Sequence, residues 1–248
     1  MSLLWLVLIV LGIATIGYVI GRSRALGSAD GDIRALHSLP SYYGANVFLK
    51  VAVPAFLVLI LFLIVQPLVI NKAVSGMIPA SEIREGSNLG LVMAEVHRAA
   101  DGLDNAVAAG VMDEAMARNG RADITDMTAR LKDAGQVVTS RITQPILAAA
   151  QRYRVLSATG DLIRSGVVLV FALAGFLYGL RESQKDFRAR NVVEKSILAL
   201  LIAAASVAVL TTLGIVLSLI FNTVEFFRLY PALDFFTLLE WSPSFSGR

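Results

Sequence analysis

The sequence predicts an all-α integral membrane protein: four transmembrane helices with a periplasmic helical hairpin between the second and the third. Three observations carry this. Of 248 residues, 56% are hydrophobic and 17% charged, with a mean hydropathy of +0.69, too apolar for a soluble domain of this length. Four stretches are nearly free of charge over the roughly 20 residues a helix needs to cross a hydrocarbon core. The long polar connection between the second and third stretches repeats its apolar residues at helical spacing.

The first span runs near residues 3–21. It has no basic segment before it and no small-residue cleavage site before Arg22, so it reads as an anchor and not as a removed signal peptide. The second, near 51–71, holds Pro54 near its start and Pro67 near its end, where a missing backbone donor is easiest to tolerate. The third, near 162–180, holds Arg164 one turn in, which is expected to snorkel outward on its long stem. The fourth, 196–224, is the longest and is expected to tilt or to project beyond the bilayer.

Basic residues set the expected orientation. Arg22, Arg24, Arg34 and Lys50 flank or fill the loop between spans one and two, and Arg181, Lys185, Arg188, Arg190 and Lys195 fill the loop between spans three and four. Both loops are therefore expected in the cytoplasm of a bacterial inner (plasma) membrane. The N-terminus, residues 76–158 and the C-terminal tail then face the periplasm.

Within 76–158, Leu89, Val92, Val96, Leu103, Val107 and Val111 form one apolar series. After a break at Asn119-Gly120 a second runs through Ile124, Met127, Leu131, Ala134, Val138, Ile142, Ala149, Tyr153 and Leu156. Pro79 and Ser81 offer a start to the first helix, and Asp123, with Asp126 in the following turn, offers one to the second. The second series leads towards span three as one long helix, with Pro145 as the expected kink.

No cysteine is present, which excludes disulfides, thiolate catalysis and Fe–S clusters. Nucleotide-binding glycine loops and the H-E-x-x-H metal motif are also missing. No catalytic, substrate-binding or metal residue and no cofactor is therefore predicted, and any energised process the chain takes part in draws its energy from another chain. His37 and His97 read as solvated surface histidines. The carboxylates Asp101, Asp104, Asp113, Glu114, Asp123 and Asp126 read as helix faces and caps, since they lack the spacing of a calcium loop. The basic loop at 181–195 reads as a topology and anionic-lipid element, with no nucleic-acid partner implied. Ser206, Thr211, Thr212 and Ser218 read as hydroxyls bonded back to their own helix, and with no ionisable residue between Ser196 and Val224 no transport path is expected in this chain alone. Gly17 and Gly21 in span one, and Gly175 and Gly179 in span three, are two G-x-x-x-G pairs that permit close helix packing. The aromatic run Phe226-Phe227, Tyr230, Phe235-Phe236 and Trp241 suggests an amphipathic segment at the outer interface.

Several of these runs carry a resemblance. Asn191-Val192-Val193-Glu194-Lys195, Ile215-Val216-Leu217-Ser218-Leu219-Ile220-Phe221, and Phe235-Phe236 followed by Glu240-Trp241-Ser242-Pro243 resemble the opening of the PstC permease family of the phosphate ABC transporter. Residues 1–190, with Pro79-Ala80-Ser81-Glu82-Ile83-Arg84, are similar to the extension of its long proteobacterial members. The resemblance implies two parts: the extension over 1–190, and the first span and periplasmic segment of the permease proper over 191–248. The remaining permease spans and their E-A-A-type coupling loop have no counterpart here. It also implies ATP-driven import of inorganic phosphate. The implied partners are a second permease subunit, a cytoplasmic ATPase dimer and a periplasmic phosphate-binding protein, all around a lipid bilayer. No phosphate-contacting residue of the family maps onto this chain. A transmembrane sensory or signalling module, and an accessory subunit of a respiratory or photosynthetic complex, are the alternative readings.

Overall fold

The computed structural model describes residues 1–79, 82, 88–118, 143–230 and 232–237. They form α1 (Leu3–Ser28), a short 3-10 turn (Ile33–Ala35), α2 (Pro40–Ser75), α3 (Leu89–Ala108), α4 (Glu114–Arg118), α5 (Gln144–Glu182), α6 (Ala189–Leu229) and α7 (Ala232–Thr237), with no strand among the described residues. The chain divides into two compact units, Met1–Ala189 and Arg190–Arg248.

The first unit is built on α1, α2 and α5, which pack against one another. On α1 the buried residues Leu6, Val10, Ala14, Gly17, Gly21 and Ala25 recur at steps of three and four, which draws one stripe along a helix. That stripe meets Val47, Val51, Ala52, Ala55 and Leu59 of α2 and Val168 and Ala172 of α5 in an apolar cluster. The remaining faces stay apolar although exposed, as at Leu8, Ile16, Leu57, Leu61, Val170 and Leu173. Only 22% of the apolar window of α1 is buried, and 28% of those of α2 and α5. In water such surface would drive association; beside acyl chains it carries no cost.

The helices are longer than the spans expected. At 1.5 Å per residue, the 36 residues of α2 extend about 54 Å and the 39 of α5 about 58 Å, against about 30 Å of hydrocarbon. Both Pro54 and Pro67 therefore lie inside α2. Pro145 sits in the first turn of α5 and does not kink it; a missing N–H costs nothing where no intrahelical acceptor exists.

Beyond the apolar bundle, α3 seats Val92, Met93, Val96, Ala99 and Ala100 against Ile70 and Val74 of α2 and Ile146, Ala149 and Ala150 of α5. This is an antiparallel pairing of α3 with the projecting part of α5. The first helix begins at Leu89, where its apolar series begins and later than the start offered at Pro79 and Ser81, and it ends before Val111, the last residue of that series. Asn88 caps it, its side-chain oxygen accepting from the Leu91 N–H at 2.9 Å. It stops at Ala108, where Gly110 takes a φ of +72° and Val111 N–H and Gly110 N–H donate to the carbonyls of Ala106 and Val107, a Schellman ending. Ser81, Asn119-Gly120, Asp123, Asp126 and the series from Ile124 to Ile142 lie outside the described residues.

The second unit is the continuous helix α6 followed by α7. No residue of its charge-free stretch from Ser196 to Val224 is buried. Ser206, Thr211 and Thr212 each donate to the carbonyl four residues back, at 2.8, 2.8 and 3.0 Å. Their hydroxyls are thus satisfied by their own helix. At the end of the helix Phe226 and Phe227 meet Phe235 edge-on, with centroids 5.4 and 5.7 Å apart, and this aromatic corner folds α7 back. The Glu240-Trp241-Ser242-Pro243 run lies outside the described residues.

Candidate functional site

All four glycines of the two G-x-x-x-G pairs face one short stretch of α2. A Cβ built on Gly17 would meet Val47 Cγ1 at 2.8 Å and Phe176 at 3.1 Å, and one on Gly21 would meet Val47 Cγ2 at 2.6 Å. From the other side, a Cβ on Gly179 would lie 3.0 Å from the Val47 Cα, and one on Gly175 only 1.9 Å from the Lys50 carbonyl oxygen. Gly44 of α2 answers towards α1, its added Cβ falling 2.6 Å from the Tyr18 carbonyl. Val47 is thus held between Gly17 and Gly21 on one side and Gly179 on the other, more than 150 residues apart in sequence.

The Lys50 carbonyl is special for a reason visible in the sequence. Its helical donor would be the N–H of the residue four places on, and that residue is Pro54, which has none. The carbonyl so released is the atom that Gly175 approaches. The glycine supplies space, and the Cα hydrogen standing where a Cβ would be faces an acceptor that the helix leaves without its ordinary partner.

Two polar levels bound the apolar bundle. At one, Lys50 of α2 pairs with Glu182 of α5, and its ammonium lies 4.4 Å from the Tyr178 ring centroid and 5.4 Å from that of Phe187. At the other, Gln66 Nε2 donates to Asp161 Oδ1 at 3.0 Å, and Arg164 Nη1 pairs with Asp161 Oδ1 at 3.1 Å. Arg164 reaches Gln66 Oε1 at 3.5 Å. Gly160 leaves room for the Gln66 side chain, since a Cβ there would lie 2.6 Å from its Nε2. Arg164 is 9% exposed, so it does not snorkel outward. It turns inward because a carboxylate one turn back and a carboxamide on α2 give its charge a partner inside the bundle. Arg164 and Glu182 are 18 residues apart on one helix, about 27 Å, close to the thickness of the hydrocarbon core. Between the levels lies the apolar cluster.

Outside that boundary, Arg154 of α5 ties down α3 and α4. Its Nε donates to Asp104 Oδ1 at 2.7 Å and its Nη2 to Glu114 Oε2 at 3.1 Å. Burial works to lower the pKa of Arg154, but the hydrogen bonds and charges of Asp104 and Glu114 outweigh it and hold the pKa above the ordinary arginine value. Asp104, Glu114, Arg154, Ser157 and Asp161 line a cleft of about 300 Å³. Three carboxylates around one neutralised guanidinium make it a poor seat for an anion such as phosphate. Asp104 and Glu114 are thus tertiary ion-pair partners and not merely solvated faces. His97 also departs from expectation. It is half-buried, with its Nε2 2.9 Å from Asn71 Oδ1 and its ring 4.6 Å from that of Tyr153. His37 is exposed, with Nδ1 3.2 Å from the Lys185 carbonyl. Among the described residues no group of His, Asp and Glu has the arrangement of a metal site.

Sequence reading found the glycines but not the surface that receives them, and it missed Gln66 and Asn71. The local signal for both was a carboxamide at the end of an apolar run.

Comparison with known proteins adds one result. A family model described as phosphate ATP-binding cassette transporter matches residues 7–177, which covers α1 to most of α5 and lies within the first unit. No curated protein and no solved structure matches the chain. The match falls on the segment read as an N-terminal extension and spans well over half of the sequence. The chain belongs to the phosphate ATP-binding cassette transporter family.

Proposed function

We propose that this chain is the N-terminal membrane part of a phosphate ABC importer permease and acts as a scaffold beside the transport path. The observation that carries the reading is the closed interior of the first unit: an apolar, glycine-tightened core bounded at both ends by paired polar groups. A phosphate path needs cationic or N–H groups facing an open polar lumen, and here the inward-turned cations, Lys50 and Arg164, are already paired. The chain is non-enzymatic in this reading, and an ATPase dimer in the cytoplasm supplies the energy. A second permease subunit completes the path, and a periplasmic binding protein delivers phosphate.

The positive-inside rule puts both basic loops in the cytoplasm of a bacterial inner membrane and the N-terminus, α3 and α4 in the periplasm. The periplasmic helices then serve as a docking surface for the binding protein or a neighbouring complex. Replacing residues 76–158 by a short Gly-Ser linker is expected to weaken uptake and binding-protein affinity together; wild-type values for both would remove the docking role.

Purification of the tagged chain in mild detergent tests the assembly. An ATPase and a second permease subunit are expected to co-purify. A haem-bearing or chromophore-bearing complex in their place would transfer the chain to the accessory-subunit reading.

A further inference from the structure

The end of the first unit that carries Lys50 and Glu182 also gathers two basic segments far apart in sequence. The backbone N–H of His37 and the hydroxyl of Tyr43 both donate to the carbonyl of Lys185, at 3.4 and 3.2 Å. Ala25, Tyr43 and Ala189 are buried together there, with Leu36, Tyr42 and Phe187 packed around them. This junction fuses residues 22–37 and 181–188 into one surface. On it stand Arg22, Arg24, Arg34, Arg181, Lys185 and Arg188, all exposed. Only three other carboxylates share that surface, Asp30, Asp32 and Asp186. Asp32 is engaged in accepting from the backbone N–H of Arg34 at 2.9 Å, and Glu182 is taken by Lys50.

We propose that this basic collar binds the headgroups of anionic phospholipids. Its height in the membrane selects lipid as the partner. Arg22 directly follows the charge-free run of α1, and Arg181 follows that of α5. The residues just before them, Val19 at 59%, Ile20 at 39%, Leu177 at 66% and Tyr178 at 59% exposed, form the apolar surface that acyl chains cover. A lipid lying against these side chains has its phosphate at the level of the arginines. Guanidinium groups pair with phosphate oxygens in a two-pronged geometry, and each basic side chain near an anionic leaflet strengthens binding by about fivefold.

The test uses the full chain, delipidated in detergent and offered phosphatidylglycerol or phosphatidylcholine, with retained lipid counted by native mass spectrometry. Wild-type chain is expected to retain phosphatidylglycerol at least tenfold better, and to lose most of that preference at 0.5 M salt, where charge interactions at a surface are screened. The double variant Arg24→Gln/Arg188→Gln is expected to bind phosphatidylglycerol about 25-fold more weakly, with unchanged helix content. Lys72→Gln, at the opposite end of α2, is expected to change nothing. Equal retention of the two lipids would overturn the proposal and leave the collar to an acidic protein partner. Displacement of phosphatidylglycerol by millimolar inorganic phosphate would overturn it in favour of a free-anion site. An equal loss in Lys72→Gln, or a preference indifferent to salt in the wild-type chain, would also overturn it, and the salt titration needs no variant to fold.

Discussion

Replacing Gly175 by alanine adds one methyl group at the tightest contact of the bundle. The new Cβ would lie 1.9 Å from the Lys50 carbonyl oxygen, 2.7 Å from its carbon and 3.1 Å from the Val51 Cα. All three are backbone atoms, so no side chain can rotate away. Reaching ordinary contact distance requires α2 and α5 to part by about 1.5 Å, and a gap of 0.5–1 Å already forfeits a quarter to a half of each dispersion contact along the seam. Overpacking of this kind costs about 3 kcal/mol at the upper end of its usual range. Alanine returns up to about 1 kcal/mol as the better helix former, which leaves a net loss of about 2 kcal/mol. Gly166 lies on the same helix with nothing within 4 Å of an added Cβ, so Gly166→Ala should show only the gain. The two variants are therefore expected to differ by about 3 kcal/mol in SDS-titration unfolding of the purified chain, followed by circular dichroism. A Gly175→Ala chain as stable as Gly166→Ala would refute close α2–α5 packing at this point.

The polar level at the other end predicts an asymmetry. Asp161→Asn leaves the 9%-exposed Arg164 as an uncompensated buried cation and is expected to cost about 3 kcal/mol. Arg164→Met leaves Asp161, whose side chain is 44% exposed, free to hydrate, and should cost about 1 kcal/mol or less; equal losses in the same unfolding assay would contradict the burial argument. Arg154→Met removes the tie to Asp104 and Glu114, both well exposed, and is expected to weaken α3 and α4 by about 1 kcal/mol. Faster amide hydrogen exchange should appear in α3 with α1 unchanged, and a uniform change across the chain would count against a local tie.

The spans were legible because charge is expensive in hydrocarbon, so charge-free runs mark them directly. Their ends were less so. Once α2 and α5 leave the membrane they remain helical on amphipathic turns, and neither Pro54 nor Pro145 interrupts them. The first exterior helix showed its period through Val92, Val96 and Leu103, yet Ala99 and Ala100, which complete its buried stripe, are too small to stand out in a sequence. Its end at Gly110 was hidden for a related reason, since Asn119-Gly120 looked like the stronger punctuation. The inward turn of Arg164 and the seating of His97 depend on Gln66 and Asn71, 98 and 26 residues away, and no local pattern reports such pairings. The glycine pairs lie between these cases. Their spacing announced a close approach, while the receiving surface at Val47 and the meeting of Gly175 with the Lys50 carbonyl emerged only once α2 was in place. The permease resemblance rested largely on residues 191–248, whereas the family match covers 7–177.

The central claim, that this chain serves ATP-driven phosphate import as a membrane scaffold, is met most directly by uptake of labelled inorganic phosphate in cells depleted of the protein. The account predicts that uptake falls on depletion, returns with the wild-type chain and does not return with a Gly175→Leu chain that still reaches the membrane. Uptake unchanged by depletion would contradict it.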